Sequence, residues 1–224
     1  MKIILPPFSE VDMNDSSCLD LYLFRHGYTR YNLEKRYQGK TDLPLLEEES
    51  ERIRPYSFSK DHTEPALEQN GVQIQNIRKT LDLADDLPDV VYVSGALRTL
   101  QTAELLFPGM RQIVIPEFWE MDFGVFEGRS AEEMKSDSQY RSWVDSMCEA
   151  PAPDGESRTQ FTKRVTDRFS RLAEQALLEG RKKLLIVAHG GTQMAIMEHF
   201  CEKNQPYWSW QSAPREAIHA MIRF

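Results

Sequence analysis

Arg25-His26-Gly27 sets an arginine and a histidine directly after four apolar residues, Leu21-Tyr22-Leu23-Phe24. Imidazole is a competent nucleophile, and a guanidinium offers a planar fork of N–H groups that matches phosphate oxygens. The pattern recurs twice. Arg98 follows the apolar run Val90-Val91-Tyr92-Val93 and Ser94-Gly95, and His189 follows Lys183-Leu184-Leu185-Ile186-Val187-Ala188 and precedes Gly190-Gly191. Two arginines and two histidines converging on one spot would hold a dianionic phosphoryl group, one histidine attacking phosphorus while the others offset charge on its oxygens. The departing alkoxide needs a proton, and Glu117, Glu120, Asp122 and Glu127 share one segment that could supply it. Such a scheme needs no metal, because cationic side chains take the place of magnesium. Taken singly, each residue has a plainer use: His26 and His189 as capping or packing groups, Arg98 as a surface helix residue. The functional reading rests on the threefold repetition.

The elements that must position these groups are strands, since ligands in α/β folds bind at the carboxyl ends of strands. Apolar runs predict strands at 20–25, 90–93, 113–115 and 183–188, with a last, partly alternating one over Ala217 to Phe224. Helices are predicted from about Glu68 to Leu83, over 96–106 with Arg98 in its first turn, over 130–149 with Met134, Trp143 and Met147 as packing residues, and from Glu156 or Ser157 to a cap at Gly180. In the last of these, Phe161, Val165, Phe169, Leu172 and Ala176 keep helical spacing. Another helix follows His189 through Met194, Ile196 and Met197. Strands alternating with helices predict an α/β, three-layer fold with a mostly parallel sheet. The acidic, proline-containing stretch at about 46–66 reads as a solvated surface insertion rather than a lid. No domain boundary or internal repeat is evident in residues 1–224, which are read as one domain.

Composition narrows the class. The 224 residues are 41% hydrophobic and 28% charged, ordinary for a globular protein. A net charge of −8 argues against general nucleic-acid binding and polybasic membrane attachment. Cys18, Cys148 and Cys201 are odd in number, widely spaced and without a CxxC pair, which points to a reducing cytoplasm and away from a disulfide scaffold or structural zinc. Residues 1–20 lack a secretory signal pattern, and no run approaches the length of a membrane span.

Leu23-Phe24-Arg25-His26-Gly27-Tyr28-Thr29, followed by Asn32, Arg36 and Gln38-Gly39, resembles the first block of the histidine phosphatase (phosphoglycerate mutase-like) superfamily. Ser94 to Ala103 is similar to its second block, with Thr99 where alanine is usual, and Glu120 to Gly128 to its third. Asp154-Gly155-Glu156-Ser157 and Val187 to Gly191 complete the set in family order. The resemblance implies the phosphoglycerate mutase-like fold, with His26 as the nucleophile that becomes phosphohistidine. Arg25, Arg98 and His189 would bind the phosphoryl group, with Asn32, Gln38, Gly39 and Gly190 as substrate-binding residues. Glu120 would protonate the leaving group and then activate water, which leaves Asp122 and Glu127 in structural roles.

The stretch from Gln38 to Leu45 is similar to that of alpha-ribazole phosphatases and other small bacterial phosphatases of the branch. Residues 129–150 are short and mostly acidic or neutral, without the basic insertion of the cofactor-dependent mutases, which favours hydrolysis. The expectation is a cytoplasmic phosphatase without cofactor or metal. Its partner is a small phosphorylated substrate, not nucleic acid or membrane, and a homodimer stays open. Rival readings are a mutase, a non-catalytic phospholigand binder and a metal hydrolase using His26, His189 and carboxylates. Tyr28, Trp143, Tyr207, Trp208 and Trp210 are candidates for lining the pocket or for packing, and His62, His199 and His219 read as structural or surface residues.

Overall fold

The computed structural model describes residues 18–54, 57–58, 87–201 and 205–224. Its centre is β1 (Cys18–Arg25), followed by the short helices α1 (Arg30–Leu33) and α2 (Glu49–Ile53). Then come β2 (Val90–Val93), α3 (Leu97–Leu106) and β3 (Arg111–Val114). Two 3-10 turns, Pro116–Phe118 and Gly124–Phe126, lead to α4 (Ala131–Met134), α5 (Ser138–Asp145) and the long α6 (Arg158–Leu178). The chain closes with β4 (Lys183–Ala188), α7 (Gly190–Phe200), a 3-10 turn at Tyr207–Trp210 and β5 (Ala217–Arg223).

The strands form one sheet in the order β3-β2-β4-β1-β5, parallel except for β5, which runs against β1. Side chains alternate across a strand, so a sheet covered on both faces needs apolar residues at every position. β1 has this pattern. Leu19, Leu21 and Leu23 join one core cluster, and Tyr22 and Phe24 join the other. β4 divides the same way, Leu184, Ile186 and Ala188 against Leu185 and Val187. The first cluster is closed by α5, α6 and α7, the second by α2 and α3, which makes the predicted three layers.

Register is what matters for the site. β1 and β4 pair with Arg25 opposite Ala188, and β2 meets β4 with Val93 opposite Val187. The three central strands therefore end level, delivering Arg25-His26, Ser94 and His189 to one edge.

Local chemistry sets the helix ends. Ser157 caps α6 in a reciprocal box with Gln160, and Gly180, at φ 71°, follows its C-terminus. The helix predicted over 130–149 is instead two, because Asp137 accepts from the backbone N–H groups of Gln139 and Tyr140 and starts α5 afresh. Met134 and Trp143 are buried as predicted, but Met147 is exposed, at φ 55° just past the end of α5. The third strand is 111–114, half-exposed at the sheet edge, and Ile115 falls just beyond it. The insertion is described only in part. There Glu47, Glu48, Glu51, Arg52 and Arg54 are exposed, while Ile53 and Phe58 pack against β1 and α3 and Glu49 and Ser57 are buried. The helix predicted at 68–83, residues 1–17 and His62 lie outside the described residues. Among the described residues, no helix is long and apolar enough to cross a membrane.

Phe169 on α6 is fully buried, its ring 4.9 Å from that of Phe200 on α7. Phe169→Ala is expected to lower unfolding free energy by about 3–5 kcal/mol in a urea titration. Met147→Ala, at an exposed position, should stay within about 0.5 kcal/mol of the parent.

Candidate active site

His26 leaves the end of β1 almost fully buried, with Nδ1 2.7 Å from the Gly27 carbonyl oxygen. A carbonyl only accepts, so Nδ1 carries the proton and donates it, which leaves the lone pair of the neutral ring on Nε2. Burial, then the charges of Arg98 and Arg25, hold the His26 pKa well below 6.5, against a smaller opposite effect of the Gly27 bond. The ring is therefore neutral at pH 7, with a nitrogen available to attack.

The two arginines are fixed by backbone carbonyl acceptors. Arg25 donates through Nη1 to the Ser212 carbonyl; the Ser212 hydroxyl donates to Gln193 on α7, whose amide donates to Leu23 O at 2.8 Å. Arg98 donates to Gly39 O at 2.9 Å and Thr41 O at 3.1 Å. Burial pushes its pKa down to about 10, opposed by Glu120, Asp42 and Glu127, so it stays charged at neutral pH. The Nε of each arginine is buried with no hydrogen-bond partner among the described residues. Unmet buried donors on two cations are what an anion site leaves open.

His189 is fully buried, its ring centre 5.2 Å from that of His26. Nε2 lies 2.8 Å from Ser94 Oγ, and Nδ1 has no partner among the described residues. Thr99 donates its one hydroxyl proton to Ala96 O at 2.7 Å, so across its 3.0 Å contact with Ser94 it can only accept. The Ser94 proton thus has two acceptors. Given to Nε2, it makes a neutral ring with Nδ1–H; given to Thr99, it lets Ser94 accept from an imidazolium. Burial and the nearby arginines push the His189 pKa down when no anion is present.

Glu120 approaches from the segment after the first 3-10 turn. Its carboxylate accepts from Gly191 N and Met121 N, both at 2.9 Å. A Cβ on Gly191 would fall 2.1 Å from Glu120 Oε1, and one on Gly190 3.0 Å from Arg25 Cζ, so both glycines at the start of α7 admit the groups facing them. Arg164 on α6 pins the Glu120 segment by donating to Glu117 O at 2.7 Å while paired with Glu156 at 2.8 Å.

A cavity of about 360 Å³ opens on these groups. Arg25, His26, Glu120, Asn32, Gln38 and Gly190 line it, while Arg98 and His189 are fully buried and do not. Gly39 is placed differently from the substrate-binding role read for it: it does not line the cavity, and its carbonyl holds Arg98. Glu127 accepts from Lys40 N at 2.6 Å and Thr41 N at 2.7 Å, bracing that same loop, and Asp122 pairs with Lys40 at 2.5 Å. Trp143, Tyr207 and Trp208 line the cavity, whereas Trp210 is core. Among the described residues, no group of three or more His, Cys, Asp or Glu side chains could hold a metal ion.

Sequence reasoning missed the positioning shell: Ser212, Gln193, Arg164 and Glu49. Fully buried Glu49 accepts from Tyr28 N at 2.9 Å and lies 3.6 Å from Arg215. Gln193, polar among Met194, Ala195 and Ile196, carried a signal; Ser212, known only by its carbonyl and hydroxyl contacts, carried none.

Two measurements follow from this geometry. Removing the second acceptor of Ser94 by Thr99→Val is expected to weaken orthophosphate binding about tenfold in calorimetry, with Thr99→Ser restoring it. Both buried histidines hold pKa values below the unfolded value of about 6.5, so below that pH the unfolded chain binds more protons. The stability they contribute is complete above about pH 6.5 and is lost as pH falls toward their folded values. Urea midpoints of the unliganded protein should drop between pH 7 and 5, less steeply in His26→Gln.

A family model described as histidine phosphatase superfamily (branch 1) matches residues 21–55 and 58–218. The chain is 28% identical over 176 residues to a "Probable phosphoglycerate mutase GpmB" of Enterobacter sp. (strain 638), covering 77% of this chain and 70% of that one. It is 28% identical over 181 residues to a "Putative phosphoserine phosphatase 2" of Hydrogenobacter thermophilus, covering 79% and 76%. Its fold superposes on the alpha-ribazole phosphatase of Shigella flexneri with a TM-score of 0.69 at 22% identity, over 92% of this chain and 95% of that one. A phosphoglycerate mutase of Thermus thermophilus gives a TM-score of 0.59 at 28% identity, over 90% and 92%. The family match spans most of the sequence, all three central strand ends included, and the chain belongs to branch 1 of the histidine phosphatase superfamily.

Proposed function

We propose that this phosphatase hydrolyses a small phosphomonoester through a phosphohistidine on His26, without a metal. The observation that carries the reading is the neutral His26 ring, its Nδ1 proton committed to Gly27 O and its Nε2 without a hydrogen bond among the described residues, with Arg25 and Arg98 nearby. In the first step Nε2 attacks phosphorus, the P–N bond forming as the ester P–O bond breaks. The leaving alkoxide takes the proton of a protonated Glu120. Arg25, Arg98 and the Nδ1–H of His189 hold the phosphoryl oxygens, supplying charge stabilisation in a water-poor site. In the second step water attacks phosphorus, Glu120 takes its proton, and the P–N bond breaks to free His26 and phosphate.

Hydrolysis rather than transfer to a second acceptor is supported by the segment after the third block. There Arg129 is paired with Asp137 and Lys135 with Glu132, so these cations are committed to local carboxylates. Alpha-ribazole phosphate is one candidate substrate, by likeness of the Gln38–Leu45 stretch to phosphatases of that name.

With p-nitrophenyl phosphate and a chelator present, wild type is expected to turn over and His26→Ala to lose at least about a hundredfold in kcat. A quenched reaction with labelled substrate should carry acid-labile phosphate on wild type and none on the variant. Chelator-resistant turnover that survives in His26→Ala would remove His26 from the role of nucleophile.

A further inference from the structure

The cavity beside the phosphoryl cradle is walled unlike a site for a doubly anionic metabolite. Outside the transfer site, the cation that lines it among the described residues is Arg36. That guanidinium is already engaged. Its Nε donates to Glu34 at 2.6 Å, and its Nη groups donate to Glu133 at 2.7 and 2.9 Å and to Gly128 O at 2.6 Å. Glu34 also pairs with Arg30, so two arginines and two carboxylates balance there and leave no spare positive charge. A carboxylate or second phosphate on the leaving group would find no free donor cation there to offset its desolvation.

Aromatic rings share the rest of the wall with Asn32, Gln38, Gln211 and methionines. Tyr37 packs 5.0 Å from Phe123 and 5.6 Å from Trp143, ring centre to ring centre, and all three line the cavity. At its mouth Trp208 stands edge-on to Tyr207, 4.9 Å away, with 41% of its surface exposed. An exposed tryptophan on the rim of an aromatic cavity is a ready stacking surface, and aromatic pairs add attraction beyond the area they bury. We propose that this cavity selects phosphomonoesters whose leaving group is an uncharged aromatic ring, with Trp208 as a specificity residue that stacks on it. The inference rests on the phosphatase reading for its chemistry, but its recognition step can be tested without turnover.

Phosphonates supply that test, because their P–C bond is not hydrolysed and leaving-group reactivity drops out. Benzylphosphonate, 3-phosphonopropionate and methylphosphonate are titrated calorimetrically into wild type and Trp208→Ala. Benzylphosphonate is expected to bind at least about tenfold tighter than 3-phosphonopropionate, a difference the burial of one ring can supply. Trp208→Ala should weaken benzylphosphonate about fivefold to tenfold and leave methylphosphonate, which reaches only the cradle, within about twofold. Equal or tighter binding of 3-phosphonopropionate overturns the proposal, and so does a variant that weakens benzylphosphonate and methylphosphonate alike. Selective binding of benzylphosphonate without turnover of benzyl phosphate would sink the hydrolase reading while leaving the recognition intact. Turnover of benzyl phosphate without that binding preference would do the reverse.

Discussion

The structure depends on keeping two guanidinium charges and two neutral imidazoles out of water at one level of one sheet. Burying a charge without partners is costly, and a buried arginine survives only where carbonyls or carboxylates meet its N–H groups. Arg98 meets this through Gly39 O and Thr41 O, and Arg25 through Ser212 O. Each keeps its Nε in reserve. The same two charges that await an anion also push protons off His26 and His189. One electrostatic arrangement therefore keeps His26 neutral and sets two cations beside it.

Much of the rest serves to place those acceptors. Glu127 does not line the cavity, yet it gathers the backbone N–H groups of Lys40 and Thr41, and so aims the carbonyls that hold Arg98. Gln193 and Ser212 do the same for Arg25 from the other side of β1. Glycines stand where two such groups must pass: Gly191 admits the Glu120 carboxylate, and Gly39 passes so close to Met121 that a Cβ would sit 2.0 Å from its carbonyl oxygen. Conformational freedom is not the issue at either; neither has a positive φ. What they lack is bulk.

How much of this the sequence disclosed follows from the range of the interactions. Strands β1, β2 and β4 were legible because a sheet covered on both faces needs unbroken apolar runs, and few other structures do. Arg25, His26, Arg98 and His189 were legible because they stand next to those runs, and parallel register levels their ends. The α6 stripe was legible for a related reason: all five residues at helical spacing are buried. The break between α4 and α5 was not seen, because Asp137 is as ordinary on a helix surface as at a cap until its partners are known. That the Gly39 carbonyl turns to Arg98 is not visible in the sequence, because its place beside Gln38 says nothing about which way a carbonyl points. Glu49, one of several acids in a row, gave no sign that it alone is fully buried under Tyr28.

The division between cradle and cavity has a consequence for how such a fold changes its substrate. The groups proposed to hold the phosphoryl oxygens come from strand ends and the start of α7, which the register of the sheet places level with one another. Walls that meet the leaving group come from the segments 32–38, 121–148 and 207–211, which no strand constrains. Pairing Arg36 with Glu34 and Glu133 engages the guanidinium of one of those walls without touching a cradle residue. Relatives of comparable identity carry mutase and phosphatase names alike. A cradle set by strand ends and walls set by loops can change independently, because engaging or freeing one wall arginine alters the leaving-group side and leaves every strand end where it was.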